Sequence, residues 1–257
     1  MNKTLVFSLF VVTLFITSAT AKPVPSGLEN ARSLGLAKDV DGQIVEGYIL
    51  EIKAQKNPAS QNYQKNCYAY PDLKGIYMNI GQEPYIIDTT NEDGLSEQDV
   101  INSIQNSMNT WDTAVQDIHP PIFGTLDTTG IVDGDDRTKP DGKNEIMFRD
   151  ITDLPSSVVA YAVIWFTTCP VERRAIIEYD IVFNEKMEWK ILEENVPYKV
   201  MDLQSIATHE LGHAVGMWDL YDAKCAYQTM FGVAIYGHTE KRTLEIGDKF
   251  GVNKLYR

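Results

Sequence analysis

The sequence predicts an α+β fold, and three observations carry that expectation. Residues 96–115 place apolar side chains at three- and four-residue spacing, the pattern of an amphipathic helix. Three β-rich runs then follow one another: Asn144 to Arg149, Val158 to Phe166 and Ala175 to Phe183. A second helical segment comes next and carries His209 and His213, four residues apart. Taken from about residue 68, the order is strand, helix, three strands, helix, loop and helix, a layout in which helices pack on a twisted sheet.

The chain starts with a targeting pattern. Lys3 supplies a positive start, Leu5 to Ile16 is an apolar run too short for a comfortable membrane span, and Ala19-Thr20-Ala21 offers a small-residue cleavage site. Residues 1–21 therefore read as a signal peptide, with an uncleaved anchor as the competing reading, and a secreted protein is expected. Residues 22–67 are polar and punctuated by Pro23, Pro25, Gly27, Gly35 and Gly42, with Val45 to Ile52 as one candidate strand. They read as a pro-segment or N-terminal extension; an integral first subdomain is the competing reading. The main domain is expected over 68–257.

Within it, Lys74 to Ile80 alternates and is β-rich, and Tyr85-Ile86-Ile87 is a second short run. Ser96 is a candidate N-cap, with Glu97 and Asp99 in the first turn of a helix whose apolar stripe is Val100, Ile104, Met108, Trp111 and Val115. Trp111 reads as core. Residues 127–144 hold Asp127, Asp133, Asp135, Asp136 and Asp141 among four Gly or Pro residues, an oxygen-rich loop suited to calcium. A solvated acidic loop is the competing reading, since EF-hand spacing is lacking. A last helix is expected from Leu244 to Tyr256, where Gly247 and Gly251 imply close packing against a neighbour.

Composition sets outer limits. The 257 residues are 44% hydrophobic, enough for a packed core, and the net charge of −13 argues against nucleic acid and anionic membranes as partners. A monomer that stays off the membrane after signal removal is expected. Cys67, Cys169 and Cys225 allow at most one internal disulfide, and Cys169 with Cys225 is the pair expected because both fall in the main domain.

The chemistry is concentrated in His209-Glu210-Leu211-Gly212-His213, read on through Gly216 and Asp219. Histidines four apart on a helix face the same way and can offer imidazoles to one ion. Glu210 lies beside that ion rather than on it, where a general base for a metal-held water is needed. Asp202 is a plausible N-cap for the helix, and Gly216 can turn left-handed to end it. Asp219 then arrives as third ligand; Asp222 and His238 are the alternatives at less favourable spacing. A plain amphipathic helix with two satisfied histidines is the bland reading.

The extended H-E-x-x-H-x-x-G-x-x-D run resembles the zinc signature of metzincin metalloproteases, closest to the secreted matrixins. Met230, in Thr229-Met230-Phe231-Gly232, resembles the methionine turn beneath the metal in that clan. Residues 141–148, Asp180 to Asn184 with Trp189, and Leu244, Asp248, Gly251, Val252, Leu255 and Tyr256 resemble flanking elements, so that the likeness covers about 68–257. It implies a zincin fold with a twisted, mostly parallel sheet, three main helices and a zinc cleft between upper and lower subdomains. It also implies a zinc endopeptidase acting on proteins or peptides, with Glu210 as general base. Substrate would lie extended along an edge strand within Val158 to Phe166, and 230–236 would wall the pocket beyond the zinc.

Three departures stand out. Asp219 occupies a position where most matrixins have histidine, although snapalysin-like enzymes carry aspartate there. The matrixin P-R-C-G-x-P-D pro-segment motif is missing; Cys67, the one cysteine upstream, reads as a disulfide or free thiol before it reads as a cap on the zinc. Ile181 stands where matrixins often place a histidine for a second zinc, so one zinc is expected. Two other functional readings remain at this stage: a catalytically silent relative that serves as a binding module, and another zinc hydrolase such as an aminopeptidase.

Overall fold

A computed structural model describes residues 31–55, 66–71, 77–78, 83–170 and 174–257. The expected signal peptide lies outside the described residues, as does most of the strand expected over 74–80. Two strands come first, β1 (Arg32–Lys38) and β2 (Ile44–Gln55), followed by β3 (Tyr77–Met78) and β4 (Tyr85–Ile87). Helix α1 (Glu97–Val115) leads to β5 (Asn144–Arg149), β6 (Val158–Thr167) and β7 (Ala175–Asn184). Short strands β8 (Trp189–Lys190) and β9 (Met201–Asp202) pair with each other and lead into α2 (Leu203–Ala214). Strand β10 (Val233–Ile235) and helix α3 (Ile246–Leu255) complete the chain.

The architecture is α+β. The main sheet runs β1-β2-β6-β7-β5-β4, with β10 added to β2 and β3 to β7. Pairings β4–β5, β5–β7, β3–β7 and β2–β10 are parallel, while β1–β2, β2–β6 and β6–β7 are antiparallel. The sheet is therefore mixed, with parallel pairings in the majority. Its helix-side face and α1, α2 and α3 enclose one large apolar cluster. The opposite face carries a smaller cluster around Ile49, Met147, Tyr161, Val163 and Trp165, where Trp165 donates Nε1–H to the Asp136 carbonyl of the acidic loop.

Helix α1 forms as its spacing predicts. Ser96 accepts from the Asp99 backbone amide at 3.2 Å, and the whole stripe from Val100 to Val115 is buried. Trp111 donates Nε1–H to the Thr208 carbonyl at 2.8 Å, which docks α1 on α2. The glycines of α3 also act as the sequence implies. A Cβ on Gly247 would sit 2.3 Å from the Cys67 carbonyl oxygen, and one on Gly251 would sit 2.5 Å from Cε of Met217.

Three expectations need correction. The disulfide joins Cys67 to Cys225, while Cys169 is exposed and free. Cys169 follows β6 at the end of a strand, whereas Cys67 meets the short 3-10 turn Ala223–Cys225 beneath α3. The boundary at 67/68 also cuts through the sheet, because β2 is flanked by β1 and β6 and buries Ile49, Leu50 and Ile52. Residues 32–55 are packed into the domain. Strand β6, expected as an edge, lies between β2 and β7. All three were set by contacts between residues far apart in the chain, which local patterning does not carry.

Candidate metal centre and active site

Helix α2 starts at Asp202, whose carboxylate accepts from the Ser205 amide at 2.9 Å and pairs with Arg242. That cap fixes the first turn, so His209 and His213 emerge two and three turns later on one face. Val215 caps the other end, and Gly216 at φ +90° turns the chain back. Met217 then donates its amide to the Gly212 carbonyl at 2.9 Å, and Asp219 arrives opposite the two histidines.

The result is a three-residue cluster. Oδ1 of Asp219 lies 3.2 Å from Nε2 of His209 and 3.8 Å from Nε2 of His213. The other ring nitrogens are held by backbone: Nδ1 of His209 contacts the Thr229 carbonyl at 2.7 Å, and Nδ1 of His213 contacts the Met217 carbonyl at 3.0 Å. Each ring is thereby fixed with Nδ1 as the donor and Nε2 free to ligate. Tyr221 steadies Asp219 by donating its hydroxyl to Oδ2 at 3.1 Å.

Burial gives the test of whether a cation fits. Nε2 of both histidines, Oδ1 of Asp219 and both carboxylate oxygens of Glu210 are buried without a hydrogen-bond partner. Orphaned buried acceptors of this kind are costly. Two imidazole nitrogens and a carboxylate oxygen within 4.8 Å of one another are a donor set suited to zinc. The residues present fit the ion.

Electrostatics point the same way. Burial pushes the Glu210 carboxyl well above its usual range, and the charge of Asp219 pushes it further. Burial also raises Asp219, against the pull of His213 and Tyr221. Desolvation drives His209 well below the ordinary imidazole value and lowers His213 to about 4, so both stay neutral, as metal ligation requires.

The methionine turn sits directly beneath. A Cβ on Gly212, between the two histidines, would come 2.2 Å from Sδ of Met230. Only a glycine lets α2 and Met230 approach so closely. The carboxylate of Asp248 accepts from the Thr229 and Met230 amides, and burial lifts its pKa to about 6. Lys241, half-buried, donates Nζ–H to the Thr229 carbonyl at 2.7 Å and also to the Phe231 carbonyl. The Thr229 carbonyl therefore links the His209 ring to the Lys241 ammonium. Nothing in Thr239-Glu240-Lys241-Arg242 marks this lysine in the sequence.

The two rival ligands are elsewhere. Asp222 is exposed, caps the 3-10 turn and pairs with Lys224; His238 contacts Glu240 near the surface. Beyond α2, Val233, Ala234 and Ile235 wall a cavity of about 180 Å³ that also touches Ile206, His238 and Lys241. Part of the 230–236 segment thus lines a cavity, but His209, Glu210, His213 and Asp219 do not line it.

The five loop aspartates are divided by the structure. Asp127 is used up in a turn, accepting from the Thr129 and Gly130 amides, and Asp135 binds Arg137 and Tyr161. Asp133 and Asp141 gather near Glu145 around the ammonium of Lys143. Asp136 instead joins Glu178 and Asp180 of β7, and each of these three carboxylates has one buried oxygen without a partner. Burial raises Glu178 to about 8, and burial with neighbouring acids raises Asp136 to about 6. Glu178 and Asp180 were missed from sequence. Two acids at i and i+2 in an otherwise apolar strand were the available signal.

Residues 159–257 match the matrixin family, peptidase M10. That stretch is similar to a matrixin catalytic domain. The match starts inside β6 and takes in α2, the loop that carries Asp219, the turn at Met230 and α3, and so covers His209, His213 and Asp219. It supports a zinc metallopeptidase with protein or peptide substrates and a catalytic zinc. No curated protein matches the chain. No helix among the described residues of the matrixin-like chain is long and apolar enough to cross a membrane.

Proposed function

We propose that this matrixin-like chain is a secreted, monomeric zinc endopeptidase in which His209, His213 and Asp219 hold the metal and Glu210 is the general base. The observation that carries the reading is the convergence of five unpartnered buried atoms: three on the ligand cluster and two on the Glu210 carboxylate beside it. When bound, zinc supplies Lewis acidity toward a water and a peptide carbonyl. Glu210 takes a proton from the water on one carboxylate oxygen and delivers it to the nitrogen of the leaving amine. Its raised pKa suits a group that must hold that proton between the two steps. His209 and His213 keep their orientation through the Thr229 and Met217 carbonyls. Asp219 brings a negative charge to the site, and the half-buried cation of Lys241 opposes it.

For calcium, the group Asp136, Glu178 and Asp180 gives better support than the loop aspartates alone, because its oxygens are buried and unpaired. Lys143 already neutralises the other acidic group.

The test is cleavage of casein and internally quenched peptides by the secreted protein, both intact and after limited trypsin treatment. Cleavage is expected to stop with chelator, return with zinc and disappear in Glu210→Ala. No chelator-sensitive cleavage in either form refutes the reading and favours a silent binding module. Failure on peptides blocked at the amino end, with cleavage of unblocked ones, favours an aminopeptidase.

A further inference from the structure

We infer that the cavity between α2 and β10 selects substrates, taking a side chain with an apolar stem and a carboxylate or carboxamide tip from beside the scissile bond. The inference rests on the peptidase reading and deepens it by naming the substrate class. The metal cluster does not line this cavity but adjoins it. Ser205 and Ile206 line it from α2, and Ser205 stands four residues before His209, one turn away on the same helix face. Lys241 lines it too, and shares the Thr229 carbonyl with the His209 ring. The cavity thus lies one helical turn, roughly 5.4 Å, from the first ligand, within reach of a side chain next to the bond being cut.

Met201, Ile206, Val233, Ala234 and Ile235 give the cavity apolar walls. The polar groups among them are sorted by what they already bind. Both carboxylates on the lining are taken: Asp202 accepts from the Leu192 and Ser205 amides and pairs with Arg242, while Glu240 accepts from Asn195 and contacts His238. The donors are left over. Ser205 and Gln228 line the cavity as well, and Oγ of the first and Nε2 of the second are buried with no hydrogen-bond partner. The oxygen of the Gln228 amide settles which way it is turned. It accepts from the Gly247 amide at 2.8 Å and the Asp248 amide at 3.1 Å, so the NH2 group is the unused end.

Unmet donors in an apolar pocket are costly. A ligand that brings an acceptor relieves that cost, whereas an aliphatic one seals it in. Lys241 sets the preference among acceptors. Its half-buried ammonium donates to the carbonyls of Gln228, Thr229 and Phe231, and no carboxylate among the described residues pairs with it directly. Its hydrogen bonds are spent on neutral partners and its charge is not, so it favours a carboxylate through space. Glutamate and glutamine combine the required stem and tip, with glutamate ahead. Taken alone, the uncharged run 230–236 implies an apolar ligand; the donors come from α2 and from residues on either side of that run.

The experiment digests a random-sequence peptide library with the full zinc-loaded chain and reads the residues on both sides of every cut by mass spectrometry. Expected at one flanking position is an enrichment of glutamate and glutamine over leucine and methionine of about tenfold or more. Ser205→Ala removes the hydroxyl but keeps the backbone bond to Asp202, so the enrichment is expected to fall severalfold. Ser205→Leu fills the cavity and is expected to abolish it. A second readout needs no turnover: capped alanine pentapeptides with a central glutamate or leucine are titrated into zinc-loaded Glu210→Ala, and the amide shifts of residues 205, 228 and 233–235 are followed by NMR. Leucine or aromatic residues favoured at both flanking positions would overturn the inference, as would a glutamate preference untouched by Ser205→Leu. Glutamate-selective shifts without cleavage of any peptide would uphold the pocket and sink the peptidase reading. Cleavage without the preference would do the reverse.

Discussion

Replacing Gly212 by alanine sets two known effects against each other at the centre of the site. In an ordinary helix interior the change stabilises by roughly 0.5–1 kcal/mol, because glycine loses more backbone freedom on folding. Here the new methyl would lie 2.2 Å from Sδ of Met230 and 2.7 Å from Cζ2 of Trp111. Neither neighbour yields easily. Met230 is fully buried beneath α2, and Trp111 is pinned by its bond to the Thr208 carbonyl. Overpacking of this kind costs about 1–3 kcal/mol, so a net loss of about 1–2 kcal/mol is expected. For a domain of this size that corresponds to a fall in Tm of about 2–8 °C by calorimetry. The displaced methionine turn carries the Thr229 carbonyl that holds His209, so zinc affinity measured by chelator competition is expected to fall about 10–100-fold. A Gly212→Ala protein with unchanged or higher Tm and unchanged zinc affinity would refute the close-packing argument.

Other outcomes follow from the same structure. Asp219→Ala is expected to lose stoichiometric, tightly held zinc in metal analysis, while Asp222→Ala and His238→Ala retain it; tight zinc in the first variant excludes Asp219 as ligand. Removing the disulfide with Cys67→Ala/Cys225→Ala is expected to cost about 2–5 kcal/mol in denaturant unfolding, since the bridge closes a separation of 158 residues. The raised carboxyl of Glu178 favours the folded state below its unfolded value, and that contribution is lost as pH rises toward about 8. Added calcium must displace the same proton, so the calcium-induced rise in Tm is expected to be larger at pH 8.5 than at pH 6. An equal rise at both values, or none, removes calcium from this cluster. Lys241→Met is expected to weaken zinc binding with partial rescue by Lys241→Arg, read by chelator competition.

Local signals in the chain were strong where short-range physics decides. The α1 stripe, the Ser96 and Asp202 caps and the His209–His213 spacing all depend on residues within a few positions of one another. So does the turn at Gly216, which is enough to bring Asp219 back to the helix. The rest depends on what meets across the chain. Val45 to Ile52 is visibly a strand, yet nothing in it tells that its neighbours are β6 and β10. Cys169 and Cys225 look closer in sequence than Cys67 and Cys225, but a disulfide answers to distance in space. Lys241 and Glu178 likewise gain their meaning only from burial beside groups far away in sequence.

The pairing of Lys53 with Val233 has a consequence for how the molecule is made. A ribosome delivers β2 some 180 residues before the strand that closes against it, and α2 arrives between the two. Contacts of such long separation impose a large loop-closure cost before they return anything, so the sheet completes late and slowly. During that interval the main-chain groups of Lys53, Ala54 and Gln55 wait as an unpaired edge, open to other chains. Export of the unfolded chain and folding only after delivery of the last strand would shorten that exposure. Refolding from denaturant is accordingly expected in the slow, aggregation-prone range, with yield falling as protein concentration rises.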